Sequence, residues 1–206
     1  LAKTPLALLA IDEAHCISEW GHNFRPDYLK LTRFADELKI PRVLCLTATA
    51  TPQVANDICK HFQIQPQDHH QLTFYRANLD LVITPIATHD RPEYILKQIQ
   101  KSPIQPTIIY TTLQHGAESL ASFLKSKGLS VRPYHAGLRS EARSEIQDAF
   151  MSGEVPIICA TIAFGMGIDK SDIRAIYHYN LPKSLENYTQ EIGRAGRDGK
   201  QAHCEL

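Results

Sequence analysis

Residues Leu9 to Pro26 read LAIDEAHCISEWGHNFRP. The apolar run Leu6–Ile11, LALLAI, stops abruptly at two carboxylates, Asp12 and Glu13. His15 follows, and Trp20, His22, Phe24 and Arg25 come within a few residues. The length and composition of the run suit a buried strand. In a doubly wound sheet, ligands gather at the carboxyl ends of the strands, where these acids fall. One carboxylate there can hold Mg²⁺ through water, and the next can polarise an attacking water. Two acids leaving a strand into solvent is the plain alternative. The strand-then-acid pattern alone does not separate the two readings; the neighbouring residues weigh against the plain one.

Outward from this stretch, short apolar runs alternate with helix-length amphipathic segments. Helices are predicted at Asp27–Leu38, Pro52–Phe62, Arg91–Lys101, Gly116–Lys127, Ser140–Met151 and Ser184–Ile192. Thr51 is a plausible N-cap for the second, with Pro52 at its first position. Strands are predicted at Pro41–Leu46, Thr107–Tyr110, Val131–Tyr134, Pro156–Ala160 and Ile173–His178, with further pattern at Leu72–Phe74 and Leu79–Ile86. Continuous apolar strands alternating with helices imply parallel sheets covered on both faces. The expected fold is α/β with two lobes: residues 1–75, a linker over 76–88, and residues 89–206. The first lobe, with about two or three strands, is too small to bury both faces of its sheet and reads as incomplete.

The bulk numbers bound this reading. The 206 residues are 43% hydrophobic and 21% charged, as in ordinary globular proteins. The 22 basic residues balance the 22 acidic ones, so any nucleic-acid surface must be local. The five cysteines are odd in number and form no C-x-x-C pair, which argues for buried thiols in a reducing compartment and against a disulfide framework or zinc site. No apolar run is long enough to span a bilayer. The expected location is cytoplasmic, or nucleoid-associated in a bacterium. The chain opens at Leu1, almost directly into a strand, and reads as a piece of something longer.

Several strings carry a specific resemblance. DEAH is the motif II spelling of helicases, and DEAHCISEWGHNFRPDY (12–28) resembles motif II plus the aromatic-rich loop of RecQ DNA helicases. LTATAT (46–51) resembles motif III, FYRANL (74–79) the family's inter-lobe junction, and IIYTT (108–112) motif IV. YHAGLR (134–139) resembles the family's YHAGL segment, CATIAFGMGIDK (159–170) motif V, and NYTQEIGRAGRDG (187–199) motif VI. The strings stand in family order and span nearly the whole chain.

The resemblance implies two RecA-like lobes of the P-loop NTPase helicase fold and an ATP-dependent 3′–5′ DNA helicase, acting on single-stranded and duplex DNA with ATP and Mg²⁺. It implies catalytic roles for Asp12, Glu13, His15, Arg194 and Arg197, with Asp12 holding Mg²⁺ through water and Arg197 as the arginine finger. Gln190 and Asp169 would join them at the nucleotide. Gln190 to Arg197 is expected to span about two helical turns, which would converge these groups on one site. DNA contacts are implied for Trp20, His22, Phe24, Arg25, His135, Arg139, Thr161 and Gly165. Thr47 and Thr49 would couple the acids to DNA. Arg76 and Asn78 read as polar anchors at the junction. Plainer readings stand beside these: a packed histidine for His135, a threonine-rich turn for LTATAT, and a basic helix end for the arginines.

Two features depart from the family. Asn23 stands where an Asp is common after WGH, which keeps hydrogen bonding but loses a charge. No G-x-x-x-x-G-K-[ST] string occurs, so the phosphate cradle and the adenine-reading element are expected before Leu1. Zinc is not expected within the chain, although RecQ proteins often continue into a zinc subdomain and a winged helix. The chain is therefore expected to be a partial motor with little activity alone. An RNA helicase of the wider DEAH group and a DNA-binding module descended from a helicase are the competing readings. The aromatic loop argues against the first, and the intact acids and arginines argue against the second.

Overall fold

The computed structural model describes residues 5–19, 24–73, 75–165 and 168–206. Trp20, His22 and Asn23 lie outside the described residues. The chain divides into two compact units, Leu1–Phe74 and Tyr75–Leu206.

In unit 1, strand β1 (Leu9–Ile11) pairs in parallel with β2 (Val43–Cys45), Ile11 opposite Cys45. The predicted run from Leu6 is shorter as a strand because only these residues align with β2. Helix α1 (Pro26–Glu37) starts with a proline in its first turn. Helix α2 (Pro52–Phe62) starts as predicted, with Thr51 Oγ1 accepting from Val54 N at 3.3 Å. Val54 and Ile58 of α2 pack with Ile11, Ala14 and Ile17 to form the core. A wholly buried 3₁₀ turn, Ala14–Ile17, follows β1 and was not legible in the sequence.

Unit 2 is a six-stranded parallel sheet of order β3-β8-β7-β4-β6-β5. In chain order its elements are β3 (Leu79–Val82), α3 (Arg91–Gln100), β4 (Thr107–Tyr110), α4 (Gln114–Ser126), β5 (Val131–Tyr134), α5 (Ser140–Ser152), β6 (Ile157–Ala160), β7 (Ala175–His178), α6 (Leu185–Ile192) and β8 (Ala202–Glu205). Every residue of β4 and β6 is buried, as continuous apolar strands require. Successive residues serve opposite faces. Ile109, Ile157 and Cys159 pack with α3 and α4 through Ile95, Ile99, Leu120 and Leu124. Ile108 and Ile158 pack with α5 and α6 through Ile146, Phe150 and Ile192. The stretch expected as a linker, 76–88, contains β3, which pairs with β8 along its whole length and so forms an edge of this sheet.

The five cysteines are free thiols. Burial pushes the Cys45 thiol up to about 11 and the Cys204 thiol up to about 12, which keeps both protonated and unreactive at neutral pH. Among the described residues, no helix is long and apolar enough to cross a membrane.

Candidate active site

At the end of β1 the chain turns sharply. Ile11 is buried, Asp12 is exposed, and Glu13 adopts φ 52° and ψ 41°. This left-handed conformation is uncommon for a residue with a Cβ and costs about 1–3 kcal/mol, so the surroundings must enforce it. They do so on both sides. Leu46 N donates to Ile11 O at 2.9 Å, Ala14 N donates to Leu46 O at 2.9 Å, and Glu13 N donates to Asp12 Oδ1 at 2.8 Å. The turn leaves the Glu13 side chain half exposed, with Oε2 3.3 Å from Nδ1 of the buried His15.

His15 joins two of the predicted strings. Its Nδ1 also lies 2.9 Å from Thr47 Oγ1, and its Nε2 lies 3.7 Å from Cys16 Sγ. The tautomer protonated on Nδ1 serves this arrangement: it faces the Glu13 carboxylate and the Thr47 oxygen, and leaves Nε2 to accept from the thiol. Thr47 Oγ1 accepts from Thr49 N at 3.3 Å, while the buried Thr49 hydroxyl has no hydrogen-bond partner among the described residues. Of the expected coupling pair, Thr47 therefore carries the contact to His15. Asp12 suits a hard cation held through water: it is an exposed oxygen donor at a strand end, with Oδ1 oriented by the Glu13 amide. Phe24 is half-buried and Arg25 exposed, and Arg25 N is tied to Cys16 O at 2.9 Å.

In unit 2 the arginines sit differently from the expectation. Gln190 lies on α6, capped by Ser184 accepting from Asn187 N at 3.2 Å, but the helix ends at Ile192. Arg194 and Arg197 follow in turns. Gly196 between them takes φ 52°, a left-handed conformation that keeps the segment from resuming a helix. Helical phase therefore does not converge Gln190 with the arginines; hydrogen bonds to Gly165, Ile168 and Asp169 hold the arginines instead. Arg194 Nη1 donates to the Gly165 carbonyl. Gly165 has φ 142°, and a Cβ there would collide with the Arg194 guanidinium. Arg197 Nη1 donates to Asp169 Oδ1 at 3.0 Å and to Ile168 O at 3.4 Å. Asp169 is almost fully exposed and Arg197 partly so.

The other predicted nucleic-acid residues are mixed in placement. His135 is buried, with Nε2 3.1 Å from Glu118 Oε1. Thr161 is also buried, its amide donating to Tyr134 O at 3.0 Å. Arg139 is exposed at the start of α5. Sequence reasoning missed a buried pair: His178 Nε2 at the end of β7 lies 2.7 Å from Glu191 Oε2 on α6. The available signal was the spacing of Asn187 and Glu191, four residues apart on the face of α6 that also buries Ile192.

Comparisons with known proteins bear on the whole chain. The family described as the helicase conserved C-terminal domain matches residues 90–199. The chain is similar to the RecQ-like DNA helicase blm-1 of Caenorhabditis elegans, 43% identical over 97% of this chain and 20% of that protein. It is equally similar to the ATP-dependent DNA helicase RecQ of Bacillus subtilis, at 43% identity over 97% of this chain and 34% of that protein. The chain thus spans between a fifth and about a third of these two relatives' lengths. Among solved structures, S. cerevisiae Dbp5 bound to RNA and ADP BeF3 matches with a TM-score of 0.76 at 21% identity, over 96% of this chain and 52% of that one. At that identity the likeness speaks for the RecA-like helicase fold alone.

Proposed function

Because the chain belongs to the helicase family whose conserved C-terminal domain its residues 90–199 match, with RecQ-like relatives, we propose that it forms part of the motor of an ATP-dependent 3′–5′ DNA helicase of RecQ type. The observation that carries this reading is Glu13, held in a strained turn at a strand end with its carboxylate against His15. Strain of this kind persists where a side chain must be aimed.

In this reading Glu13 orients a water for attack on the terminal phosphate and accepts its proton. His15, fixed by Thr47, holds the carboxylate in place. Bound magnesium would neutralise phosphate charge, with Asp12 holding it through water. Arg197 stabilises charge on the transferring phosphate. Its ion pair with Asp169 lies on the surface, where such pairs contribute about 0–1 kcal/mol, so exchanging Asp169 for phosphate is cheap. Arg194 stays on Gly165 and braces the turn. Phe24, Arg25 and Arg139, with Trp20 and His22, would meet DNA through base stacking and phosphate contacts. Both relatives are named as DNA helicases, which favours DNA over RNA.

The test is ATP hydrolysis by the full-length native protein with single-stranded DNA, with RNA, and with neither. Stimulation by DNA that Glu13→Gln abolishes is the expected result. Stimulation by RNA alone would overturn the choice of substrate, and turnover unaffected by Glu13→Gln would overturn the assigned site.

A further inference from the structure

The chain enters unit 2 through residues 75–78, a turn closed by Leu79 N donating to Arg76 O at 3.0 Å, in which Tyr75 and Ala77 are exposed and Arg76 and Asn78 half-buried. The two half-buried side chains both reach the turns that follow α6. Arg76 Nη1 donates to Gly193 O at 3.2 Å, and its Nη2 donates to Gly196 O at 2.5 Å. Asn78 Nδ2 donates to the same Gly196 oxygen at 2.8 Å and to Lys200 O at 2.8 Å. The backbone continues the contact, with Ala202 N donating to Asn78 O at 2.9 Å.

The acceptors are carbonyls of the turns that follow α6, and Gly196 O also accepts from Gly199 N at 3.0 Å. Their identity is informative. Gly193 immediately precedes Arg194, and Gly196 immediately precedes Arg197. The bonds to Gly193 and Gly196 therefore grip the peptide units from which the two arginines spring. Gly196 fits the grip closely: at φ 52°, a Cβ there would fall 2.6 Å from Asn78 Nδ2 and 2.7 Å from Lys200 O. From the far side, Arg194 and Arg197 are fixed by Gly165, Ile168 and Asp169.

We propose that Arg76 and Asn78 are positioning residues for hydrolysis. By clamping the 193–194 and 196–197 peptide units they set where the Arg194 and Arg197 guanidiniums stand, so the segment entering unit 2 governs the arginine site. This rests on the ATP-hydrolysing reading above. A guanidinium spanning two carbonyls is a fixed fork, whereas a lysine at the same place offers one point donor.

The experiment compares ATP hydrolysis, with single-stranded DNA present, by the full-length native protein and its Arg76→Ala, Arg76→Lys, Asn78→Ala and Asp80→Asn variants. Asp80 of β3 pairs instead with His203, its register neighbour on β8, and serves as the control. The expected result is a kcat about 10–100-fold lower for Arg76→Ala, the scale of a slight misplacement of a catalytic group. The KM for ATP should stay within about twofold, Arg76→Lys should recover only part of the loss, and Asp80→Asn should match wild type. If Arg76→Ala does not fold, Arg76→Lys and Asn78→Ala carry the same comparison. Folded variants with wild-type kcat would overturn the clamp, as would a loss that Asp80→Asn reproduces. A wild-type protein without DNA-stimulated turnover would instead sink the helicase reading, and the clamp with it.

Discussion

The guanidinium of Arg194 donates to the carbonyl oxygen of Gly165, 29 residues earlier in the chain, and only the missing side chain of Gly165 lets it approach. Gly165→Ala places a methyl group where the guanidinium lies, at a φ that residues with a Cβ rarely adopt. The expected outcome is a loss of about 1–3 kcal/mol in stability, together with weaker ATP hydrolysis as Arg194 is pushed from its seat. Thermal unfolding and steady-state turnover of the same variant check both halves.

Thr47→Val removes the hydroxyl 2.9 Å from His15 while keeping the shape of the side chain. The bond is worth about 1 kcal/mol to unit 1. The larger expected effect is on chemistry: with His15 less firmly oriented, Glu13 is aimed less well, and kcat should fall about tenfold with little change in nucleotide affinity. A nucleotide titration alongside turnover separates the two effects. Unchanged kcat would show that Glu13 is held by its backbone turn alone.

His178 and Glu191 are both buried, and Nδ1 of His178 has no hydrogen-bond partner among the described residues. Glu191→Ala therefore strands the imidazole entirely. The expected loss is about 1–3 kcal/mol, the scale for leaving a buried polar group without its hydrogen bond. Replacing both residues by leucine should restore most of that loss, because no polar group is then left unpaired. Urea unfolding of the two variants tests this directly.

Acid stability should depend on Glu205. Burial alone would raise its carboxyl, but hydrogen bonds from His203, Thr84 and Tyr94 outweigh that and hold it below the ordinary carboxylate range. A lowered folded value means the unfolded chain takes up the proton first as pH falls. The contribution of Glu205 is therefore complete above the ordinary value of 4.5 and disappears as pH drops through the lower folded value. Glu205→Gln should lower stability at neutral pH and flatten its decline below about pH 4.5. Unfolding free energies across that window check the slope.

The parts legible in the sequence are those fixed by local chemistry. TIIY over 107–110 announces a strand buried on both faces, and Thr51 with Pro52 announces the start of α2. DEAH and LTATAT named the residues that His15 joins, because their order along the chain carries the signal. The rest depends on partners distant in sequence. The left-handed turn at Glu13 is held by Leu46, which no local pattern predicts. QEIGRAGR is expected to run on as two helical turns, yet α6 stops at Ile192, where Gly193 and Gly196 disfavour helix, and the turn beyond it is held by Arg76 and Asn78 more than a hundred residues earlier. Residues 76–88 read as a linker because the pairing that makes β3 a strand comes from β8.

That last pairing also shapes how the molecule is made. Asp80 of β3 and His203 of β8 stand 123 positions apart, yet they are neighbours in the finished sheet. At a synthesis rate of about 5–20 residues per second, β3 waits on the order of 6–25 s after it is made before its partner exists. Through that interval an apolar strand edge, Leu79, Leu81 and Val82, stands unpaired while β4 to β7 can already associate. The exposed moment for this strand is therefore during translation, when its unpaired edge is open to pairing with other chains.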